Sequence, residues 1–207
     1  MANVTPLRKQ EAESEKPVNI SDRAIDNLAF IRETMARSTQ FTAVPGYGGI
    51  LMGVTACVAA YIASIQVYRV DSLTVWLVEA ALAFAIGLLA MWQKAKLGGQ
   101  SLLSTPSRKF AFSFAPPMFV GVVTVLGLWK FGQYDLMAPV CMLAYGAAVA
   151  CGGAFSARVI PVMGWLFMAC GAIALLLPTK YADPMMAVSF GGLHIIFGAI
   201  IARRYGG

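Results

Sequence analysis

The chain has 207 residues, 58% of them hydrophobic and only 13% charged, with a net charge of +6. Soluble domains carry about a quarter charged residues, so this balance excludes an ordinary water-soluble globule and points to a membrane protein. The 20 glycines fit that class, because helices in lipid approach closely where side chains are small.

Residues 1–20, "MANVTPLRKQEAESEKPVNI", are polar and are expected to be disordered. No secretory signal is expected: acids and bases alternate through residues 1–40, and the first long apolar run begins only near Gly46. Residues 21–40 predict an amphipathic helix, cytoplasmic or interfacial, capped by Ser21 or Asp22. Ala24, Ile25, Leu28, Ala29, Ile31, Met35 and Ala36 share one face, with Asp22, Asp26, Glu33 and Arg37 opposite. Arg32 intrudes on the apolar face, where its stem can lie along lipid while its head reaches phosphate. Two roles suit such a helix. It can lie on the surface and sense lipid or dock a partner, or it can lead into the bundle and pack beneath it.

The stretch "NLAFIRETMARSTQFTAVPGYGGILMGVTA" (27–56) and the tail "IARRYGG" resemble an uncharacterised group of bacterial multi-pass membrane proteins. The resemblance implies a bacterial inner-membrane location. It carries no activity and transfers no functional residue.

A bilayer core about 30 Å thick needs roughly 20 apolar residues per helix. Six segments meet this, at about 46–67, 72–92, 110–129, 136–156, 159–177 and 184–202. The expected fold of 46–207 is therefore an all-α, polytopic membrane bundle of six transmembrane helices arranged as three hairpins. The third span includes Pro116-Pro117, which removes two backbone donors and predicts a kink or a broken first turn at its inner end.

Positive charge sets the expected orientation. With the N-terminus cytoplasmic, 13 of the 16 Lys and Arg lie inside, and only Arg69, Lys130 and Lys180 lie outside. Both termini are thus expected on the cytoplasmic side, with the positive charge facing anionic headgroups rather than nucleic acid. Arg32, Arg37, Lys94, Lys96, Arg108, Lys109, Arg203 and Arg204 are the candidate contacts to lipid headgroups or to a partner. Each outer connection carries a base followed by an acid: Arg69 and Asp71, Lys130 and Asp135, Lys180 and Asp183. Each acid is placed to cap the even-numbered span that follows it, and Asp183-Pro184 reads as a helix start.

Between spans two and three, Thr105-Pro106 can start a helix, and Phe110, Phe112 and Phe114 suit the interface beside Arg108 and Lys109. Gly49-x-x-x-Gly53, Gly146-x-x-x-Ala150, Gly152, Gly153, Gly164, Gly171, Gly191, Gly192 and Gly198 are packing signals, within the chain or between protomers. Cys57, Cys141, Cys151 and Cys170 lie in apolar runs without C-x-x-C spacing and read as small hydrophobes.

Two ordinarily titratable side chains fall within the spans, Glu79 and His194, the latter the single histidine of the chain. Burying an ionisable group in lipid is costly, which makes each a candidate proton or ion site. Measured from Asp71 and Asp183, their depths differ by roughly 4–5 Å. A Glu79–His194 hydrogen bond, direct or through water, is therefore available if their helices are neighbours. The alternative is that each bonds a nearby carbonyl or hydroxyl and only holds helices together. Nothing in the sequence provides a catalytic triad, a haem ligand pair, a metal cluster or a phosphate-binding glycine loop. The expectation is thus a protein without catalytic residues, metal or other cofactor, in the lipid bilayer, with a membrane-protein partner or a second copy of itself. It acts as a partner, sensor or scaffold subunit. The competing expectation is a small proton- or cation-linked transporter or channel that uses Glu79 and His194.

Overall fold

Six helical stretches carry the apolar runs in a computed structural model of the chain, which describes residues 41–99 and 101–206 together with Ile25, Asn27, Leu28, Phe30, Ile31 and Met35. The chain divides into two units, Met1–Ser38 and Thr39–Gly207. In the first, the six described residues are helical. The expected cap at Ser21 or Asp22, the polar stretch 1–20, and Arg32 and Arg37 lie outside the described residues.

In the second unit the helices are α1 (Gly46–Ser64), α2 (Arg69–Leu97), α3 (Thr105–Lys130), α4 (Met137–Gly153) and α5 (Val159–Leu176). The sixth stretch is composite. It comprises α6 (Ala182–Met186), a π-helical segment (Ala187–Leu193) and α7 (His194–Tyr205). Counting the 3₁₀ turns that lead into α4 and α6, six stretches of 18 to 29 residues are long and apolar enough to cross a membrane. The described residues contain no strand, and one isolated bridge joins Phe41 to Ser156.

Helix α1 packs on α2 along one side and on the sixth stretch along the other, while α4 packs on both α3 and α5. Small residues make two of these contacts possible. At the seam between α1 and the sixth stretch, a Cβ on Gly53 would lie 2.6 Å from the Gly191 carbonyl oxygen, and one on Gly46 2.4 Å from the Ala202 nitrogen. Between α4 and α5, a Cβ on Gly164 would lie 2.5 Å from the Ala150 nitrogen. Backbones this close gain dispersion contact that larger side chains would forbid. Away from the seams, α2 and α3 present exposed apolar side chains, among them Leu82, Phe84, Leu89, Phe119, Val123 and Leu126. This is the surface that hydrocarbon would cover.

At the proline pair, where a kink or a broken first turn is expected, the structure shows no break. Helix α3 is one continuous 26-residue helix with Pro116 and Pro117 inside it, so its first turns are not broken off. It starts at Thr105-Pro106, and its early turns are held by packing. Phe110 stacks on Phe114 and lies against Phe41, and both phenylalanines meet the face of Gly152. The three acids of the outer connections also behave differently. No helix has a side-chain cap among the described termini, and Asp183 turns instead toward α2.

Candidate functional site

Glu79 lies in the middle of α2 and is 7% exposed. Its Oε1 accepts a hydrogen bond from the Thr55 hydroxyl of α1 at 2.8 Å. The Thr55 Oγ1 is also 2.9 Å from the Met52 carbonyl oxygen and 3.2 Å from that of Leu51. One hydroxyl hydrogen thus faces three acceptors, and the carboxylate competes for it with two backbone groups.

His194 opens α7, directly after the π segment, and is 5% exposed. Its Nδ1 is 2.9 Å from the Phe190 carbonyl oxygen and its Nε2 2.8 Å from the Tyr145 hydroxyl of α4. A carbonyl can only accept, so Nδ1 carries the proton, and Nε2 of the neutral ring accepts from Tyr145. Both ring nitrogens are occupied. Around them Tyr145, Phe167 and Phe190 close an aromatic cage, with ring centroids 5.3 to 6.1 Å from the imidazole. Ser189 is fully buried nearby and donates to the Met185 carbonyl.

Glu79 and His194 therefore sit in two different helix contacts, α1–α2 and α4–α7, and no hydrogen bond joins them among the described residues. Their actual partners, Thr55 and Tyr145, are residues the sequence reading passed over. Each is a hydroxyl within an apolar span, and that is the one signal by which they were findable.

A third polar cluster was not foreseen. At one end of the bundle Asp183 accepts from Arg69 Nη1 at 3.2 Å, from Trp76 Nε1 at 2.9 Å and from Ser72 Oγ at 3.2 Å. Asp135 stands 3.9 Å from Arg69 Nε as a second ion-pair partner. The acids of two outer connections thus serve the base of another, across the bundle rather than along the chain.

The opposite end holds the other described candidate cations. Lys94 Nζ donates to the carbonyls of Val44 at 2.9 Å and Tyr205 at 3.1 Å, and also to that of Gly206. Lys96 stands over the Trp92 ring at 5.2 Å, and Arg108 over Phe112 at 6.0 Å. Arg203 and Arg204 are exposed in the last turn of α7, and Lys109 is exposed in α3. Here too the segment before α1 is tied down: the Phe41 N–H donates to the Phe155 carbonyl at 2.7 Å, and Ser156 Oγ donates to the Phe41 carbonyl at 2.6 Å.

Six apolar helices with a few internally closed polar contacts define an all-helical chain compatible with an integral, multi-pass membrane protein. Comparison with protein-family models, with curated proteins and with solved structures found no match.

Proposed function

We propose that the chain is a multi-pass protein of a plasma membrane that serves as a non-catalytic partner, sensor or scaffold subunit. In this reading its spans are threaded as three hairpins, both termini are cytoplasmic and the basic end meets anionic headgroups. The resemblance of residues 27–56 favours a bacterial inner membrane. The orientation rests on the 13 Lys and Arg at the basic side.

The observation that carries the scaffold reading is that the two buried ionisable groups bond to different helices in separate seams. His194 has both nitrogens occupied by Phe190 and Tyr145, and Glu79 is bonded to Thr55 in another seam. Hydrogen bonds across a seam hold helices together. The test is affinity capture of the full chain from its own membranes in a mild detergent. Recovery of a second protein in stoichiometric amount is expected, and recovery of the chain alone would count against a partner subunit.

A second reading has one observation in its favour, the nearly buried carboxyl of Glu79 within a membrane-spanning helix. As a proton or cation carrier it would need Glu79 itself, so Glu79→Gln in proteoliposomes would abolish flux. Flux equal to the unaltered protein would end that reading.

A further inference from the structure

The first turns of α3 and the turn between α4 and α5 enclose a groove of about 350 Å³ lined by Thr105, Arg108, Lys109, Phe112, Ser113 and Phe155. From this groove we propose a discrete site for the phosphate-bearing headgroup of an anionic membrane lipid.

The lining divides by chemistry. Arg108 and Lys109 supply two adjacent cations, suited to a phosphodiester by the forked guanidinium and the compact ammonium respectively. Thr105 and Ser113 supply hydroxyls at the level of a polar headgroup. Phe112 and Phe155 supply apolar walls for the carbon atoms below it, and Phe112 is 71% exposed. The Arg108 guanidinium stands over the Phe112 ring, which holds the charge at the mouth of the groove. The volume lies at the small end of the range for ligand sites, about 300–1,000 Å³.

Charge favours the same occupant. Between residues 41 and 206 the acids are Asp71, Glu79, Asp135 and Asp183. Three belong to the opposite end and the fourth to mid-span, so none of them neutralises Arg108 or Lys109. The other described cations of this end are differently placed, Arg158 being exposed at the start of α5 and outside the lining. Lys94 is committed to three carbonyls and Lys96 to Trp92, while Arg203 and Arg204 project from a single exposed turn. Within the groove's lining, Arg108 and Lys109 bring two positive charges together with hydroxyls and aromatic walls. Depth agrees as well. The apolar run of α3 begins at Phe110, so the groove sits where hydrocarbon gives way to headgroups. The start of α3 adds the positive end of its dipole on that side.

The site rests on the membrane reading above, in that this end must lie at a bilayer surface. The experiment uses the full chain in detergent with phosphatidylglycerol or phosphatidylcholine added, and counts bound lipids by native mass spectrometry. Retention of phosphatidylglycerol over phosphatidylcholine is expected, and Arg108→Gln with Lys109→Gln should lower it about tenfold. Arg203→Gln with Arg204→Gln removes equal charge from the same end and should leave most of it. Equal loss in both double variants would replace the site with diffuse attraction, and no loss in the first would remove it. Ser113→Leu narrows the groove at constant charge and should also reduce retention; unchanged retention there would overturn the proposal. Displacement of the lipid by millimolar inorganic phosphate would assign the site to free phosphate instead. Alkaline carbonate separates the two failures. Release of the unaltered chain from membranes would overturn the membrane reading, whereas a carbonate-resistant chain with undiminished retention in the first double variant would overturn the groove alone.

Discussion

The Arg69 guanidinium donates to the Asp183 carboxylate at 3.2 Å, although the two residues stand 114 positions apart in sequence. The same carboxylate accepts from Ser72 and Trp76, and Arg69 Nε and Nη2 are buried without a hydrogen-bond partner. Asp183 is thus the acceptor that makes a partly buried guanidinium tolerable. Removing Asp183 leaves Arg69 with only the more distant Asp135, and leaves Ser72 and Trp76 without their acceptor, at a cost of about 1–3 kcal/mol. Asp183→Ala should destabilise the chain by that amount in detergent unfolding. Asp71→Ala should change stability by no more than about 0.5 kcal/mol, as expected for an acid outside such a network. Equal effects would disprove the difference in role.

The glycine seams make a second contrast. Gly53→Ala and Gly164→Ala put a methyl group against backbone atoms and should each cost about 1–3 kcal/mol. Gly127, in α3, has open space around its missing Cβ. Gly127→Ala should be neutral, or stabilising by up to about 1 kcal/mol through helix propensity. Thermal unfolding of the three variants checks the order.

Tyr145 and His194 form the clearest interhelical hydrogen bond of the bundle interior. A double-mutant cycle with Tyr145→Phe and His194→Phe should give a coupling of about 0.6 kcal/mol, and up to about 1.7, the span typical of such bonds in membrane proteins. A coupling of zero would mean that the two rings only pack.

Thr55 cannot satisfy Glu79, Met52 and Leu51 with one hydrogen. Glu79→Gln brings an amide that can donate to the Thr55 oxygen and frees the hydroxyl for a carbonyl. It should leave stability within about 1 kcal/mol of the unaltered chain, or raise it. Glu79→Leu should separate packing from hydrogen bonding: if it matches Glu79→Gln, the bond to Thr55 adds nothing.

Lys94 gathers the carbonyls of Val44, Tyr205 and Gly206, so it clasps the C-terminal turn to the entry of α1. Lys94→Met should speed amide hydrogen exchange at Arg203–Tyr205 without changing exchange in α4. Unchanged exchange at the tail would show that the clasp has no hold on it.

The six spans were legible because length and hydropathy suffice to mark them. Their limits were less so. A reading that stops at charge ended the second span at 92, whereas α2 continues through Lys94 and Lys96 to Leu97 as helix beyond the apolar core. Glu79 and His194 stood out as polar residues, but their partners did not. In a soluble helix the apolar stripe tells which face is inside. Here Leu82 and Phe84 are apolar yet exposed, while Ser72 and Ser189 are polar yet buried, so that contrast is lost. Small residues were the surviving signal of facing helices. Gly49, Gly53, Gly146, Gly164 and Gly198 do lie in seams, whereas Gly192 meets nothing nearer than 4.0 Å.

The π segment Ala187–Leu193 has a consequence for how one span serves several neighbours. Asp183 and His194 are eleven residues apart, which in an unbroken α-helix would place them within about 20° of the same azimuth. They instead reach different helices, Asp183 to α2 and His194 to α4. Wider turns alter the angular phase, so the span acts as two rods of different azimuth spliced without a loop. Deleting Gly192, whose missing Cβ would meet nothing nearer than 4.0 Å, should restore a single phase. The span could then aim Asp183 or His194 correctly, but not both.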